Sequence, residues 1–311
     1  MALSEGRSIR SMGIAGTTLA VTAWGGSSVV AKIVDMGALA LLTYRFLLFG
    51  IVMAAYLAVR KTPLSRDAFR HSFWGGLTLG VDAGFFFTAI KFTTVANATI
   101  VNALQVVLVS LISARLYGER MTRRDMVYAA VAVGGVAVVA FGSAGSPSWS
   151  LGGDLAAIGA LIAWSAYFVV TRHAQTKVST QHYTVCVALY VGALNAPLAA
   201  LFGQDLSWPT ADNWMWLAIM AFGSGILGHV AMNWSLKTVP LWLASTLTLF
   251  IPVVASALAW VAFGESLTPL QMGAMAVVVA ALGMVVQNQR GTRPGGSSAA
   301  DAGPAAAGGG D

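Results

Sequence analysis

Long apolar segments separated by short polar connections dominate the chain from residue 12 to residue 288. A helix needs about 20 apolar residues to cross the hydrocarbon core of a bilayer, which is about 30 Å thick. Segments of this length predict ten membrane-spanning helices, at residues 12–31, 37–59, 70–90, 96–116, 125–143, 152–171, 183–203, 214–236, 240–262 and 268–288. The connections between them are too short for a soluble domain, so we expect an all-α integral membrane protein.

Composition supports a membrane location. Hydrophobic residues make up 57% of the 311 residues and charged residues only 10%, whereas a soluble domain has about 25% charged residues. If the N-terminus is cytoplasmic, 15 of the 18 Lys and Arg residues fall on the cytoplasmic side and only Lys32 and Lys91 on the other. This asymmetry predicts that both termini are cytoplasmic. It also explains the net charge of +6 without nucleic acid as a partner.

The sequence lacks the motifs of several other function classes. There is no phosphate-binding loop, no paired-histidine zinc motif and no dinucleotide-binding glycine motif. Cys186 is the only cysteine, which excludes a disulfide within the chain. We therefore expect no cofactor, no metal and no enzymatic activity. Residues 289–311, rich in Gly, Ala, Ser and Pro, predict a disordered cytoplasmic tail.

An internal repeat links the two halves of the chain. The segment "AVTAWGGSSVVAK", residues 20–32, resembles "ALIAWSAYFVVTR", residues 160–172, and aligns Trp24 with Trp164 and Lys32 with Arg172. A second match, offset by 146 residues, aligns Glu119 with Glu265 without gaps through 49 residues. The repeat predicts two five-helix units, at residues 12–143 and 152–288.

An odd number of helices per unit requires the second unit to enter the membrane from the opposite side. The predicted topology agrees, since Lys32 lies outside and Glu119 inside, whereas their counterparts Arg172 and Glu265 lie inside and outside. Inverted repeats are typical of alternating-access transporters, whose substrate site lies near the membrane midplane between the repeats.

Four short motifs resemble those of a known family. They are Trp-Gly in the first helix ("AWGGSS"), Arg-Phe in the second ("TYRFLLFG"), and Gly-Glu at the ends of the fourth and ninth ("LYGERMT", "AFGESLT"). With the two five-helix repeats, they resemble the EamA-type carriers of the drug/metabolite transporter superfamily, and among these most closely the bacterial amino-acid exporters. The resemblance covers residues 12–288. It implies a proline in the fourth-helix position of each repeat. The second repeat has Pro252 there but the first has Val106, so we expect the two halves to bend differently.

The third predicted helix contains an acidic residue. Gly76, Gly80 and Gly84 recur every fourth residue and predict a smooth strip for close helix packing. Asp82 lies about 200° around the helix from Gly80, so it faces away from this strip, with Phe86 one turn along. Two roles remain open for Asp82: a site for a substrate ammonium or a proton, or structural pairing with Arg45 or Lys91.

Other polar residues within the predicted helices are candidates for the substrate site. The family motif at Arg45 implies a fold or gating residue, with a carboxylate ligand as the alternative. Asn102 and Gln105 share one helix face and either bind a zwitterion or bond to neighbouring helices. His229 and Asn233 also share a face, and His229 is either a proton carrier or part of an interhelical bond.

Aromatic residues complete the candidate site. Trp24 and Trp164 lie near midspan, with Tyr167 one turn beyond Trp164, and predict either cavity walls or core packing. Four further tryptophans near helix ends predict an interfacial belt, namely Trp208, Trp214, Trp216 and Trp242.

These observations favour a secondary transporter that exports aromatic and other sizeable neutral amino acids, such as Thr and Met, by alternating access. Its two halves are expected to rock around a central cavity, with Pro252 and the glycines as hinges. The alternative is an exporter of cationic drugs or other small metabolites, with Asp82 as the cation site. An enzyme acting on lipids is disfavoured because Asp82 is the only acid well inside a predicted span, whereas Asp125 and Asp154 stand at span ends. Because the chain contains both repeats, we expect the monomer to function in the bilayer.

Overall fold

The computed structural model describes residues 2–93, 95–144 and 150–291, and the regular structure within these ranges is helical. The helices are α1 (Ala2–Ile33), α2 (Ala38–Val59), α3 (Arg66–Phe92), α4 (Val95–Ala103), α5 (Gln105–Tyr117), α6 (Arg123–Ala144), α7 (Leu151–Ala174), α8 (Thr180–Leu201), α9 (Ala211–Met220), α10 (Val230–Ser235), α11 (Leu241–Leu247), α12 (Phe250–Phe263) and α13 (Pro269–Gly291). A π-helical segment, Ala221–His229, joins α9 to α10. The predicted tail is still helical at residues 289–291, and residues 292–311 lie outside the described ranges.

Within the described ranges, nine helical stretches are long and apolar enough to cross a membrane. They correspond to all the predicted spans except the third, which is α3. With 27 residues, α3 has a length of about 40 Å at 1.5 Å per residue, enough to cross the bilayer. Its lower hydropathy reflects charged residues such as Arg70 and Asp82. The all-α membrane fold expected from the sequence is confirmed.

The fourth and ninth spans are each interrupted near their middle. The fourth breaks at Leu104, between α4 and α5, and the ninth at residues 248–249, between α11 and α12. The bounds of α4, shifted by the 146-residue offset of the repeat, agree with those of α11 to within two residues. The bounds of α5, shifted in the same way, agree with those of α12 to within one residue. The two halves therefore break at corresponding places, and the expected difference in how they bend stays a prediction. Pro252 lies in the first turn of α12, where its missing N–H costs little, and α5 begins without a proline.

Glycine ends both interrupted spans. Gly118 and Gly264 adopt the left-handed conformation, with φ of 67° and 65°, directly after α5 and α12. Glycine pays no steric penalty there, which explains the first residue of the two Gly-Glu motifs. The turn places Glu119 and Glu265 at the helix ends.

Helix packing joins the two halves along most of their length. Helix α3 packs on α7 and α8, α2 packs on α8, α6 packs on α13, and α1 packs on α12 and the π-helical segment. The glycines of α3 permit its close packing on α8, because Gly76 lies against Tyr190 and Gly80 against Leu194 of α8. Gly84 faces Leu198 more loosely. The strip that the sequence indicated on α3 thus lies against α8.

Trp242 corrects one expectation about the tryptophans. Its side chain is 2% exposed and belongs to the main hydrophobic core, so it does not belong to an interfacial belt. Trp208, in contrast, is 79% exposed and contacts Trp214 at a ring-centroid distance of 4.9 Å. Both tryptophans stand near the end of a predicted span, but α11 begins inside the packed core. Position along the sequence therefore did not distinguish the buried Trp242 from the exposed Trp208.

Candidate functional site

An aromatic cluster occupies the middle of the protein. The rings of Trp24 in α1 and Trp164 in α7 meet edge to face, with centroids 5.6 Å apart. His229, at the end of the π-helical segment, contacts Trp24 at 5.1 Å and Phe46 at 5.3 Å, and stacks on Phe49 at 6.4 Å. The structure therefore brings together three of the residues that the sequence proposed for the site, from α1, α7 and the eighth span.

Trp24 is fixed by a polar contact and a close approach. Its Nε1 donates a hydrogen bond to the carbonyl oxygen of Ser224, at 3.2 Å. Gly228 lies directly against the indole, since a Cβ added there would be 2.8 Å from Nε1. The π-helical segment thus shapes one wall around Trp24, and π-helical turns are frequent at functional sites.

Trp164 stands beside two further aromatic rings. Tyr167 lies 5.7 Å away and Phe168 lies 5.4 Å away, measured between ring centroids. Unlike the indole of Trp24, that of Trp164 has a buried Nε1 without a hydrogen-bond partner among the described residues. Trp164 therefore carries a free N–H donor in an apolar surrounding.

The polar ends of Tyr167 and Asn233 bind each other. The Tyr167 hydroxyl donates to Asn233 Oδ1 at 2.8 Å, and Asn233 Nδ2 donates to Thr184 Oγ1 at 2.9 Å. Both side chains are fully buried. Asn233 thus joins the eighth span to α7 and α8, whereas His229, one turn earlier, faces α1 and α2.

Arg45 lies at one edge of the aromatic cluster. Its Nη1 donates to Ser27 Oγ at 3.3 Å, and its guanidinium carbon lies 4.8 Å from the centre of the Phe46 ring. Ser224 Oγ donates to the same Ser27 oxygen at 3.0 Å. These contacts connect Arg45 to the wall of Trp24, and its Nε is buried without a partner among the described residues.

Asp82 is placed on α3 at the level of Trp164. Helices α3 and α7 run antiparallel, because Phe85 lies against Gly159 while the end of α3 lies against Gly153. Asp82 is partly buried, and its Oδ1 is shielded from solvent without a hydrogen-bond partner among the described residues. Arg45 donates to Ser27 instead, and the side chain of Lys91 lies outside the described residues. Phe86 packs in a separate cluster with Ala89, Ala98, Ala156 and Ala157.

Asn102 and Gln105 flank the interruption between α4 and α5. Gln105 Nε2 donates to Thr248 Oγ1 at 2.8 Å, and Thr248 lies in the interruption between α11 and α12. One hydrogen bond therefore joins the two broken helices. Gln105 Oε1 and Asn102 Oδ1 are buried acceptors without a partner among the described residues.

Sequence reasoning missed several residues that form the site. Ser27 stands in the "AWGGSS" motif and Phe49 in the "TYRFLLFG" motif, so both offered a signal, but nothing separates Ser224 and Thr248 from ordinary helix residues. Only the packing of the eighth and ninth spans against α1, α2 and α5 shows their position.

Comparison with known proteins identifies related sequences. The chain is 27% identical over 282 residues to a probable amino-acid metabolite efflux pump of Salmonella typhimurium, covering 85% of this chain and 91% of that protein. It is 30% identical over 183 residues to the aromatic amino acid exporter YddG of Ancylobacter novellus, covering 57% of this chain and 62% of that protein. It is 25% identical over 253 residues to the uncharacterized transporter YyaM of Bacillus subtilis, covering 77% of this chain and 81% of that protein.

Structural comparison and a family profile agree with these relatives. A crystal structure with a TM-score of 0.77 covers 91% of this chain and 99% of its own chain at 23% identity, which shows the shared fold. The profile of the EamA-like transporter family matches twice, at residues 11–141 and 151–287. Together the two matches cover most of the chain, with the aromatic cluster formed between them. This protein belongs to the EamA-like transporter family.

Proposed function

We propose that this protein is a secondary transporter that exports amino acids, with a preference for aromatic and other sizeable neutral ones such as Thr and Met. Two relatives of this chain are named for amino-acid efflux or export. The family membership supports transport, and the local chemistry of the aromatic cluster supports the substrate class.

The observation that carries the proposal is a set of buried polar atoms without partners on neighbouring helices. Asp82 Oδ1, Asn102 Oδ1 and Gln105 Oε1 are acceptors, whereas Trp164 Nε1 and Arg45 Nε are donors. A buried polar group without a partner costs roughly 1–3 kcal/mol. An amino acid supplies both complements, since its ammonium donates and its carboxylate accepts.

The aromatic rings beside Trp164 suit a sizeable side chain. The ring centroid of Trp164 lies 5.6 Å from that of Trp24 and 5.4 Å from that of Phe168. Aromatic pairs contribute about 0.5–1.5 kcal/mol beyond the area that they bury. A bound aromatic side chain would replace ring–ring contacts of this cluster with contacts of the same kind.

The proposed mechanism is alternating access by two inverted repeats, at residues 12–143 and 152–288. Each span has a counterpart five spans away in the other repeat, and a contact between two spans recurs between their counterparts. Helix α1 of the first span packs on α12 of the ninth, and its counterpart α7 packs on α4 and α5 of the fourth span. Both termini face the cytoplasm of a bacterial inner membrane in this proposal, and one monomer contains the whole pathway.

A counterflow experiment tests the proposal. Purified protein in liposomes loaded with one unlabelled amino acid should accumulate labelled phenylalanine, threonine or methionine from outside. Measurements with and without a pH gradient then distinguish proton coupling from facilitated diffusion. If a thermal unfolding transition shows that the protein is folded and it still exchanges none of these amino acids, the proposal is refuted.

Export of cationic compounds is the second candidate, and Asp82 favours it. A carboxylate oxygen shielded from solvent and without a partner among the described residues, as Asp82 Oδ1 is, is suited to an organic cation. A quaternary ammonium compound distinguishes the candidates, because it has no N–H donor for Asn102 and Gln105 and no carboxylate for Trp164. Flux of such a compound without amino-acid flux would favour the second candidate.

A further inference from the structure

Two ion pairs connect the two family-matched segments. Lys32 Nζ lies 2.6 Å from Glu265 Oε1, and Arg172 Nη1 lies 2.5 Å from Glu119 Oε1. In each pair one residue belongs to residues 11–141 and the other to residues 151–287. Any movement that separates the segments at these positions must break the corresponding pair.

The two pairs occupy corresponding positions in the two segments. Lys32 and Arg172 align in the repeat that also aligns the two tryptophans, and Glu119 and Glu265 are the acids of the two Gly-Glu motifs. Each cation also lies over an aromatic ring: Arg172 is 4.8 Å from the centre of Tyr117, and Lys32 is 5.9 Å from that of Phe263. Tyr117 and Phe263 are themselves 146 positions apart, directly before the left-handed glycines.

The pairs lie at opposite ends of α1. Arg172 donates to the carbonyl of Val239 at 3.4 Å, and Val239 packs against Gly13 near the start of the apolar part of α1. Lys32 is in the last turn of α1, about 28 Å from Gly13 at 1.5 Å per residue. This distance is close to the thickness of the hydrocarbon core. We call the two ends the Gly13 face and the Lys32 face.

The pairs differ in how firmly they are held. Side chains of Arg172 and Glu119 are 23% and 15% exposed, and Glu119 Oε2 also accepts from Ser113 Oγ at 2.5 Å and the backbone N–H of Leu241 at 2.9 Å. Lys32 and Glu265 are 55% and 49% exposed. An exposed ion pair contributes little to stability, whereas removing one partner of a buried pair is costly.

From these observations we infer that the two ion pairs are alternating latches of the transport cycle, a role that depends on the proposed alternating access. The Glu119–Arg172 pair holds the Gly13 face closed, and the Lys32–Glu265 pair holds the Lys32 face closed. Both latches are formed in this structure, so both faces are closed here, and opening of either face must break its own latch. The firmer latch biases the protein towards closure of the Gly13 face. Glu119, Arg172, Lys32 and Glu265 are thus positioning residues, distant from the proposed substrate site.

Distances across each face test this inference. In a Cys186→Ala background, spin labels are attached to cysteines that replace exposed residues: Arg120 and Lys177 at the Gly13 face, or Asp35 and Ser266 at the Lys32 face. Pulsed electron resonance then gives the populations of short and long distances in liposomes. Each labelled pair is measured in the parent chain, in Glu119→Gln and in Glu265→Gln.

The two variants are expected to shift the equilibrium in opposite directions. Glu119→Gln should raise the ratio of long to short distances at the Gly13 face about tenfold and lower it at the Lys32 face. Glu265→Gln should do the reverse, by about twofold, because its pair is exposed. Unchanged distances in both variants, or the same direction of change at both faces, would overturn the inference.

A second variant and a separate flux measurement complete the experiment. If Glu119→Gln does not fold, Arg172→Gln removes the same pair from the other side, and Glu265→Gln tests the weaker latch alone. Amino-acid counterflow is measured on the parent chain separately. Flux with unchanged distances refutes the latches and leaves the proposed function intact, whereas opposite distance shifts without amino-acid flux refute the proposed substrate and leave the latches.

Discussion

Trp24 and Trp164 contact each other edge to face at 5.6 Å, although 140 residues separate them in the chain. Each occupies the same place in its repeat, so the contact forms where the two halves meet. Their indole nitrogens differ: Trp24 Nε1 donates to Ser224, whereas Trp164 Nε1 has no partner among the described residues. The repeat therefore supplies two equivalent rings of which one retains an unused donor.

Trp164→Phe should weaken substrate binding while retaining an aromatic ring. If the free N–H of Trp164 donates to the substrate carboxylate, its loss should raise KM about tenfold, since a hydrogen bond to a charged group contributes about 1.5–3 kcal/mol and 1.4 kcal/mol is a factor of ten. Counterflow over a range of amino-acid concentrations gives this value. Trp260, 52% exposed on α12, provides the matched control as Trp260→Phe. Equal KM values for the two variants would contradict the role of the Trp164 donor.

The sequence predicted the fold well because membrane spans depend on length and hydropathy, which are local properties. It also indicated that Trp24 and Trp164 lie near midspan, since repeat position and midspan depth are visible in one dimension, and it named His229 as a candidate for the same site. It did not predict the partners. Arg45 bonds to Ser27 and is not paired with Asp82, because the rotation of α2 relative to α1 depends on packing across the whole interface.

The helix interruptions likewise depend on tertiary contacts that the sequence does not reveal. Pro252 indicated a bend in the second half, but the first half breaks at the corresponding place with Leu104 and Gln105. There, a tertiary hydrogen bond from Gln105 to Thr248 accompanies the interruption. Such a contact leaves no local sequence signal, whereas a proline does.

Gln105 and Thr248 should respond differently to removal of their hydrogen bond. Gln105→Leu removes both the bond and the unpartnered Oε1, so we expect about a tenfold higher KM for amino acids, equivalent to 1.4 kcal/mol. Thr248→Val keeps the Gln105 Oε1 acceptor but removes both the bond from Gln105 and the bond from Thr248 to the Ser245 carbonyl, so it should lower the free energy of unfolding by about 1–3 kcal/mol. Counterflow and thermal unfolding in detergent measure the two effects. A similar rise in KM for both variants would show that the interhelical bond, and not the free acceptor, controls binding.

Glycines of α3 provide a stability test with an internal control. A Cβ added to Gly76 would be 2.3 Å from Tyr190 Cβ, whereas one added to Gly84 would be 3.6 Å from Leu198. Gly76→Ala should therefore destabilise the protein by about 1–3 kcal/mol, because α3 and α8 must move apart. Gly84→Ala should be neutral or slightly stabilising, since alanine favours the helix by about 1 kcal/mol. Thermal unfolding of both variants in the same detergent decides this, and equal midpoints would contradict the close packing of α3 on α8.

Asp82→Asn separates a functional carboxylate from a structural one. Asparagine keeps the size of the side chain but removes the charge, so loss of an ammonium contact should raise KM for amino acids about tenfold, as expected for 1.4 kcal/mol. If Asp82 also carries a proton, the variant should lose any stimulation of transport by a pH gradient. Counterflow with and without the gradient measures both effects, and Asp212→Asn, at an exposed position in the first turn of α9, is the control for charge removal. Unchanged transport together with unchanged pH dependence would assign Asp82 to helix packing alone.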